Sequence, residues 1–176
     1  TQGIVTNINN RFPNIPTLWQ PNGIDKEVYD VPENKDWIKE YSLEGKNIYV
    51  YAGIIGHAQG LDVIIKAKSW LVNNEFKLST KVAFVIIGDG PDKQRLIALN
   101  KELKTNIIFI PNTPKIEVLK MLKACHAYIV PLKKLDLFLG AIPSKIFDAL
   151  GLSKPILLGV DGEAKSLFID QGKAGI

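Results

Sequence analysis

Apolar residues recur along this chain in short, nearly unbroken blocks that stop at or just before a glycine or proline. Asn47–Gly53 (NIYVYAG), Val82–Gly88 (VAFVIIG), Asn106–Ile110 (NIIFI), Ala127–Pro131 (AYIVP) and Pro155–Gly159 (PILLG) share that form. They lack the polar alternation of a half-exposed strand, so they predict strands covered on both faces. A shorter run, Thr17–Gln20, precedes the turn signal Pro21-Asn22-Gly23.

The segments between the blocks have helical spacing. Leu61, Ile64, Ile65 and Leu71 share a face across Gly60–Leu71, and Leu96, Leu99 and Leu103 do so after Pro91. Val118, Leu119 and Leu122 follow Thr113-Pro114, where Thr can cap and Pro can take the first helical position. Ile146, Phe147 and Leu150 follow Pro143-Ser144 and are expected to face the core. The polar stretch Asp30–Lys46 reads as a surface helix plus loop. Strands alternating with helices predict an α/β fold, a parallel sheet with helices on both faces. In such a sheet ligands bind beyond the carboxyl ends of the strands. That rule selects Gly53–Gly60, Gly88–Lys93, Pro111–Pro114, Pro131–Ser144 and Gly159–Glu163 for closer reading.

Composition narrows the picture only modestly. A length of 176 residues, 46% of them hydrophobic, suits one domain over 1–176 with a sizeable core. The net charge of +4 favours anionic partners, but the lysines are scattered, and Lys133-Lys134 is too short for a nucleic-acid tract. The single cysteine, Cys125, allows no internal disulfide, fits a reducing compartment and reads as a buried structural thiol. No apolar run approaches the ~20 residues that span a bilayer. The start, Thr1–Val5, has no signal-peptide pattern, and the chain reads as a piece of a longer protein.

Three strand ends carry candidate chemistry. Gly53–Gly60 (GIIGHAQG) is glycine-rich and opens a helix; it is either a phosphate cradle, with Gly56 in the backbone and His57 and Gln59 as donors, or a plain strand-to-helix turn. Gly88-Asp89-Gly90-Pro91 is either a second ligand loop or a tight turn with Pro91 starting the helix. It is not the dinucleotide fingerprint, because Lys93 takes the third glycine position, and there is no P-loop sequence. In Pro143–Leu150 (PSKIFDAL), Ser144 lies near the cap, Lys145 in the first turn and Asp148 three residues on, on the same face. A cation and free amides at a helix start can hold a diphosphate, and a carboxylate one turn later can accept from a ribose diol. The alternative is a solvated Lys145–Asp148 pair. His57 and His126 make no metal site, and no pattern supports a covalent nucleophile.

At these segments the sequence resembles the C-terminal domain of GT-B glycosyltransferases of the family 4 (group 1) type. The likeness covers nearly the whole chain in order. Pro21–Asp25 (PNGID) is similar to the family's PNGVD segment, and Gly53–Asp62 to its first glycine-rich loop in the variant ending AQGLD. Gly88–Pro91 resembles its G-x-G-P loop. Phe109–Leu122, with Asn112 as the candidate contact, resembles the segment bordering the base. Pro143–Leu150 with Ser153-Lys154-Pro155 resembles its PSKIFEYMAAGKP stretch, and Asp161–Ala164 its DGE segment. Four positions depart from the pattern. Asp148 stands at the second acid of the family's E-x7-E pair, but the first falls on Gly140. The usual first-loop Arg and Lys fall on Ile54 and Gln59, and His57 stands where the AQGLD variant often has Arg.

The resemblance implies a Rossmann-like half of a GT-B fold, in a retaining transferase that uses a nucleotide-diphosphate sugar and no metal or other cofactor. The acceptor would be a glycan or lipid-linked. An N-terminal domain outside this sequence would supply the acceptor site, and the fragment alone would be inactive. The implied site residues are Gly56, His57, Gln59, Gly88, Asp89, Gly90, Asn112, Ser144, Lys145 and Asp148. Polysaccharide synthesis in the cytoplasm is the implied setting, with peripheral contact at the inner membrane face as an option and no nucleic-acid partner. A non-catalytic nucleotide-sugar-binding subunit and a nucleotide-sugar epimerase of the same architecture are the alternatives.

Overall fold

Each of the five apolar blocks supplies a strand. In the computed structural model, which describes Thr1–Ile176, they are β1 (Asn47–Ala52), β2 (Val82–Ile87), β3 (Ile108–Ile110), β4 (Ala127–Pro131) and β5 (Ile156–Gly159). All pair in parallel, in the order β3-β2-β1-β4-β5. The helices are α1 (Gln2–Arg11), α2 (Asp36–Glu40), α3 (Asp62–Asn74), α4 (Phe76–Lys81), α5 (Lys93–Glu102), α6 (Lys115–Lys123) and α7 (Lys145–Gly151), with a π-helical turn at Lys165–Gln171.

Alternate residues of each strand feed two separate cores, which is why the blocks are apolar throughout. Val50, Val85, Val130 and Ile156 face one core with Trp37 of α2, Leu119 and Leu122 of α6 and Ile146 of α7. Tyr51, Ile86 and Ile129 face the other with Ile64 and Ile65 of α3 and Leu96 of α5. Helices therefore cover both faces, as the pattern predicts. Cys125 lies in the first core, and burial pushes its thiol up to about 12.

Several local expectations are corrected. Thr17–Gln20 pairs with no strand. β3 starts at Ile108 rather than Asn106, because the Asn100 side chain captures both the N–H and the carbonyl of Ile107. Thr113 caps nothing: its hydroxyl donates to the Pro111 carbonyl, and Pro114 itself takes the cap position of α6. On α7 the core is met by Ile146 and Ala149, while Leu150 is exposed and Phe147 only half-buried. Asp30–Lys46 is more than a surface helix, since Val31, Trp37 and Leu43 are buried.

Candidate functional site

The two glycine loops are built against each other. Beyond β1 and β2 the ladder continues, with Gly53 N–H donating to Ile87, Ile55 to Asp89 and Asp92 to Ile55. A Cβ on Gly88 (φ +140°) would lie 2.0 Å from the Gly53 carbonyl oxygen, and one on Gly90 (φ +155°) 2.4 Å from that of Ile55. These glycines are required by backbone approaching backbone. Asp92 ties the pair together from a buried position. It accepts from Arg95 Nε and Nη2 at 2.6 and 2.7 Å, and its Oδ1 lies 3.1 Å from His57 Nδ1. The Arg95 hydrogen bonds hold its carboxyl below the usual range, against the opposing effect of burial.

That arrangement uses up part of the sequence-derived set. His57 is directed at Asp92, with its ring largely exposed. Asp89 is turned outward, bonded to Gly90 N–H and 3.4 Å from Lys93 Nζ. Gln59 folds back over Gly56, its Oε1 2.7 Å from where a Gly56 Cβ would lie.

The remaining residues converge between the carboxyl ends of the neighbouring strands β1 and β4, the point at which strand order reverses. Tyr128 donates to the Ala52 carbonyl at 3.0 Å, and Tyr51 to Ile54 at 2.6 Å. Burial raises both phenols above the ordinary range. Lys145 Nζ rests 5.0 Å over the Tyr51 ring centroid, a cation–π contact. A Cβ on Gly53 (φ +139°) would stand 3.0 Å from that ammonium, so this glycine keeps its place open. Burial lowers the Lys145 pKa.

Asp148 does not pair with Lys145. Its nearest cation is Lys115 of α6, at 3.8 Å, and burial raises its pKa. The start of α7 is tightly wound: Ile146 and Phe147 N–H donate to Pro143 and Ser144, which leaves the Ser144 and Lys145 amides as the free donors. Two hollows meet here, sharing Lys115 and Asp148. One, of about 170 Å³, is lined by Gly53, Gly88, Asn112, Lys115, Tyr128 and Asp148. The other, of about 250 Å³, is lined by Asn22, Asp25, Lys115, Ser144, Phe147 and Asp148.

Volume alone points elsewhere, since hollows of about 540 and 630 Å³ open at the amino ends of the strands. The strand-end chemistry, not the volume, selects the β1/β4 switch point. Sequence reasoning missed Lys115, Tyr51, Tyr128 and Asp92, and marked Gly53 only as the start of a loop. Lys115 directly follows a strand end already singled out; the tyrosines were hidden inside apolar blocks. No three His, Cys, Asp or Glu side chains converge on a common point.

Residues 33–176 match the family described as glycosyl transferases group 1. The chain belongs to this family. Among curated proteins, a probable glycosyltransferase WbjE of Pseudomonas aeruginosa is 32% identical over 155 residues. That likeness covers 86% of this chain and 37% of WbjE, so the chain spans little more than a third of its relative. Solved structures agree on the fold. WaaG, a glycosyltransferase involved in lipopolysaccharide biosynthesis, superposes with a TM-score of 0.72 at 18% identity, over 98% of this chain and 46% of WaaG. TarM of S. aureus, solved with UDP, gives 0.69 at 14% identity, over 99% and 32%. Anabaena HepE, solved with UDP-glucose, gives 0.61 at 14% identity, over 87% and 48%. The chain thus has the Rossmann-like architecture of a GT-B half. No helix is long and apolar enough to cross a membrane.

Proposed function

We propose that this chain is the donor-binding domain of a retaining glycosyltransferase that transfers a sugar from a nucleoside diphosphate to a glycan or lipid-linked acceptor. The observation that carries the reading is the convergence of Gly53, Asn112, Lys115 and Asp148 on joined hollows between β1 and β4, with the Lys145 ammonium packed beside Gly53 at their edge. The base lies against Asn112 and the ribose hydroxyls donate to Asp148. The diphosphate meets the Lys145 ammonium and the free amides of Ser144 and Lys145. As the glycosidic bond breaks, negative charge grows on the leaving diphosphate. A half-buried ammonium held in place beforehand stabilises that charge more than a solvated one. Lys145 and Lys115 meet the anion with fixed charge, so the reaction as read here calls for no cofactor. Gly56, His57, Gln59, Gly88, Asp89 and Gly90 shape and brace the wall of the site, with Asp92 at its centre.

The relatives' greater length supports a second domain, which brings the acceptor and closes the cleft. In this reading the protein works in the cytoplasm, touching the inner membrane face where the acceptor is lipid-linked. Gly140, at the place of the family's first acid, leaves the donor sugar without that carboxylate. Calorimetric titration of the chain with a panel of nucleoside diphosphates and nucleotide sugars tests the proposal. Weak binding with no transfer is expected; no binding of any of them up to millimolar concentration overturns it. If the two-domain protein binds donor without transferring, it is a binding subunit instead.

A further inference from the structure

At the opposite end of the sheet, beneath the starts of β1, β2 and β3, lies the cavity of about 540 Å³. Lys46 enters it from the turn before β1, Lys68 from α3 and Lys104 from the loop between α5 and β3. Ser79, Thr80 and Thr105 also line it, and no carboxylate does. None of the three lysines takes part in any ion pair of the chain.

Lys68 is only 7% exposed. Its Nζ donates to the Ser79 carbonyl at 2.5 Å and the Val82 carbonyl at 2.8 Å. An ammonium has three N–H donors, so one is left over. Closing off α4 accounts for the two carbonyl bonds, but not for a second lysine beside the first. Burial and then the charge of Lys46 depress the Lys68 pKa, and like charges brought together in a recess are unfavourable unless an anion joins them.

The cavity wall is also conformationally set. Ser42, Lys104 and Asn106, with φ of 54°, 50° and 54°, all line it; they are three of the five non-glycine residues of the chain with positive φ. Such backbone persists only where its surroundings over-determine it, and it clusters at functional sites. Here Asn100 does the fixing, bonding the Thr105 hydroxyl and both backbone groups of Ile107.

We propose that this cavity is a second anion site, which takes a phosphate-bearing ligand on Lys46, Lys68 and Lys104. Compact ammonium charges suit phosphate without demanding the planar fork that a carboxylate favours. The volume falls in the range of about 300–1,000 Å³ usual for small-molecule sites. The ligand is either a free phosphorylated compound or the headgroup of an anionic lipid. It binds at the far end of the strands from Lys145 and does not share the donor site.

Two probes test this on isotope-labelled protein followed residue by residue by NMR. Inorganic pyrophosphate should shift the amides of Lys46, Ser79 and Thr105 saturably. The double variant Lys46→Gln, Lys104→Asn, in which Asn keeps the left-handed backbone accessible, should weaken this binding at least tenfold. Lys145→Ala should leave these particular shifts unchanged, which separates the cavity from the donor site. Should the double variant fail to fold, Lys46→Gln alone should give roughly a threefold loss. Phosphatidylglycerol vesicles, with phosphatidylcholine as control, identify the source: lysine-dependent co-sedimentation marks a headgroup, and pyrophosphate binding without it marks a soluble ligand. No saturable response to either probe, or binding indifferent to the lysines, overturns the proposal.

Discussion

Lys145 and Asp148 stand one helical turn apart yet do not bond, because each has a different neighbour: the face of Tyr51 for the one and Lys115 for the other. This division gives the two residues separable tests. Lys145→Ala should weaken nucleoside diphosphates and nucleotide sugars alike by about 1.5–3 kcal/mol, the usual worth of a charged hydrogen bond, while barely affecting the unphosphorylated nucleoside. Calorimetry with nucleoside, monophosphate and diphosphate reads this directly; equal losses on all three would return Lys145 to a packing role. Asp148→Asn should cost a similar ~1.5–3 kcal/mol with any ligand that carries the ribose, in a protein that still folds, since the core on α7 is held by Ile146 and Ala149. The pH dependence follows from the lysine. Burial lowers the pKa of Lys145 in the free protein, and a bound diphosphate raises it again. The contribution of Lys145 is then complete below its free-protein pKa and lost as pH rises through the bound value. The decline should begin below the ordinary lysine range and vanish in Lys145→Ala.

Between elements, the first two strand-end loops act as one unit, braced by Gly88, Gly90 and Asp92. Gly88→Ala puts a methyl group onto the Gly53 carbonyl and so should cost about 3 kcal/mol of stability, seen as a lowered melting temperature. A melting point within a degree of wild type would mean that the loops part easily. This unit also shows what a sequence can and cannot convey. The five strands were legible because burial on both faces leaves an unbroken apolar block. The glycine loops were visible as ligand loops or plain turns, but their dependence on each other was not, since Gly88 and Gly53 lie 35 positions apart and meet only once β1 and β2 are in register. Lys115 was hidden for a similar reason: only the return of α7 beside α6 makes it a neighbour of Asp148. The swap of Leu150 for Ala149 in the core reflects the rotation of α7, whose buried positions are Ile146, Ala149 and Gly151.

Across the molecule, the two ends of the chain are joined by one carboxylate. Glu163 accepts from the backbone N–H of Gln2 and Gly3 at 2.8 and 3.1 Å, while no residue of α1 is buried. Burial opposes ionisation of Glu163, but the bonds from Gly3 and Gln2 prevail and its pKa is lowered. The attachment of α1 is therefore present above the unfolded pKa of Glu163 and lost as pH falls through the lower folded value. Amide exchange at Gln2 and Gly3 should accelerate on that descent and at neutral pH in Glu163→Gln; unchanged exchange would show that α1 is held by something else. The strand order has a consequence for how the protein is made. The central strand β1 pairs with β2 on one side, with β3 beyond it, and its other side is covered by β4, which comes later in the chain. A chain released at Ala124 has Ile48–Ala52 as an open edge, almost wholly apolar, of the kind that recruits other chains. Such a product should aggregate on translation while a chain that includes β4 and β5 does not. Cys125, the only thiol, sits at the entrance to β4 and becomes a clock for that closing step. Its rate of labelling during refolding should stay high until β4 docks, and then collapse.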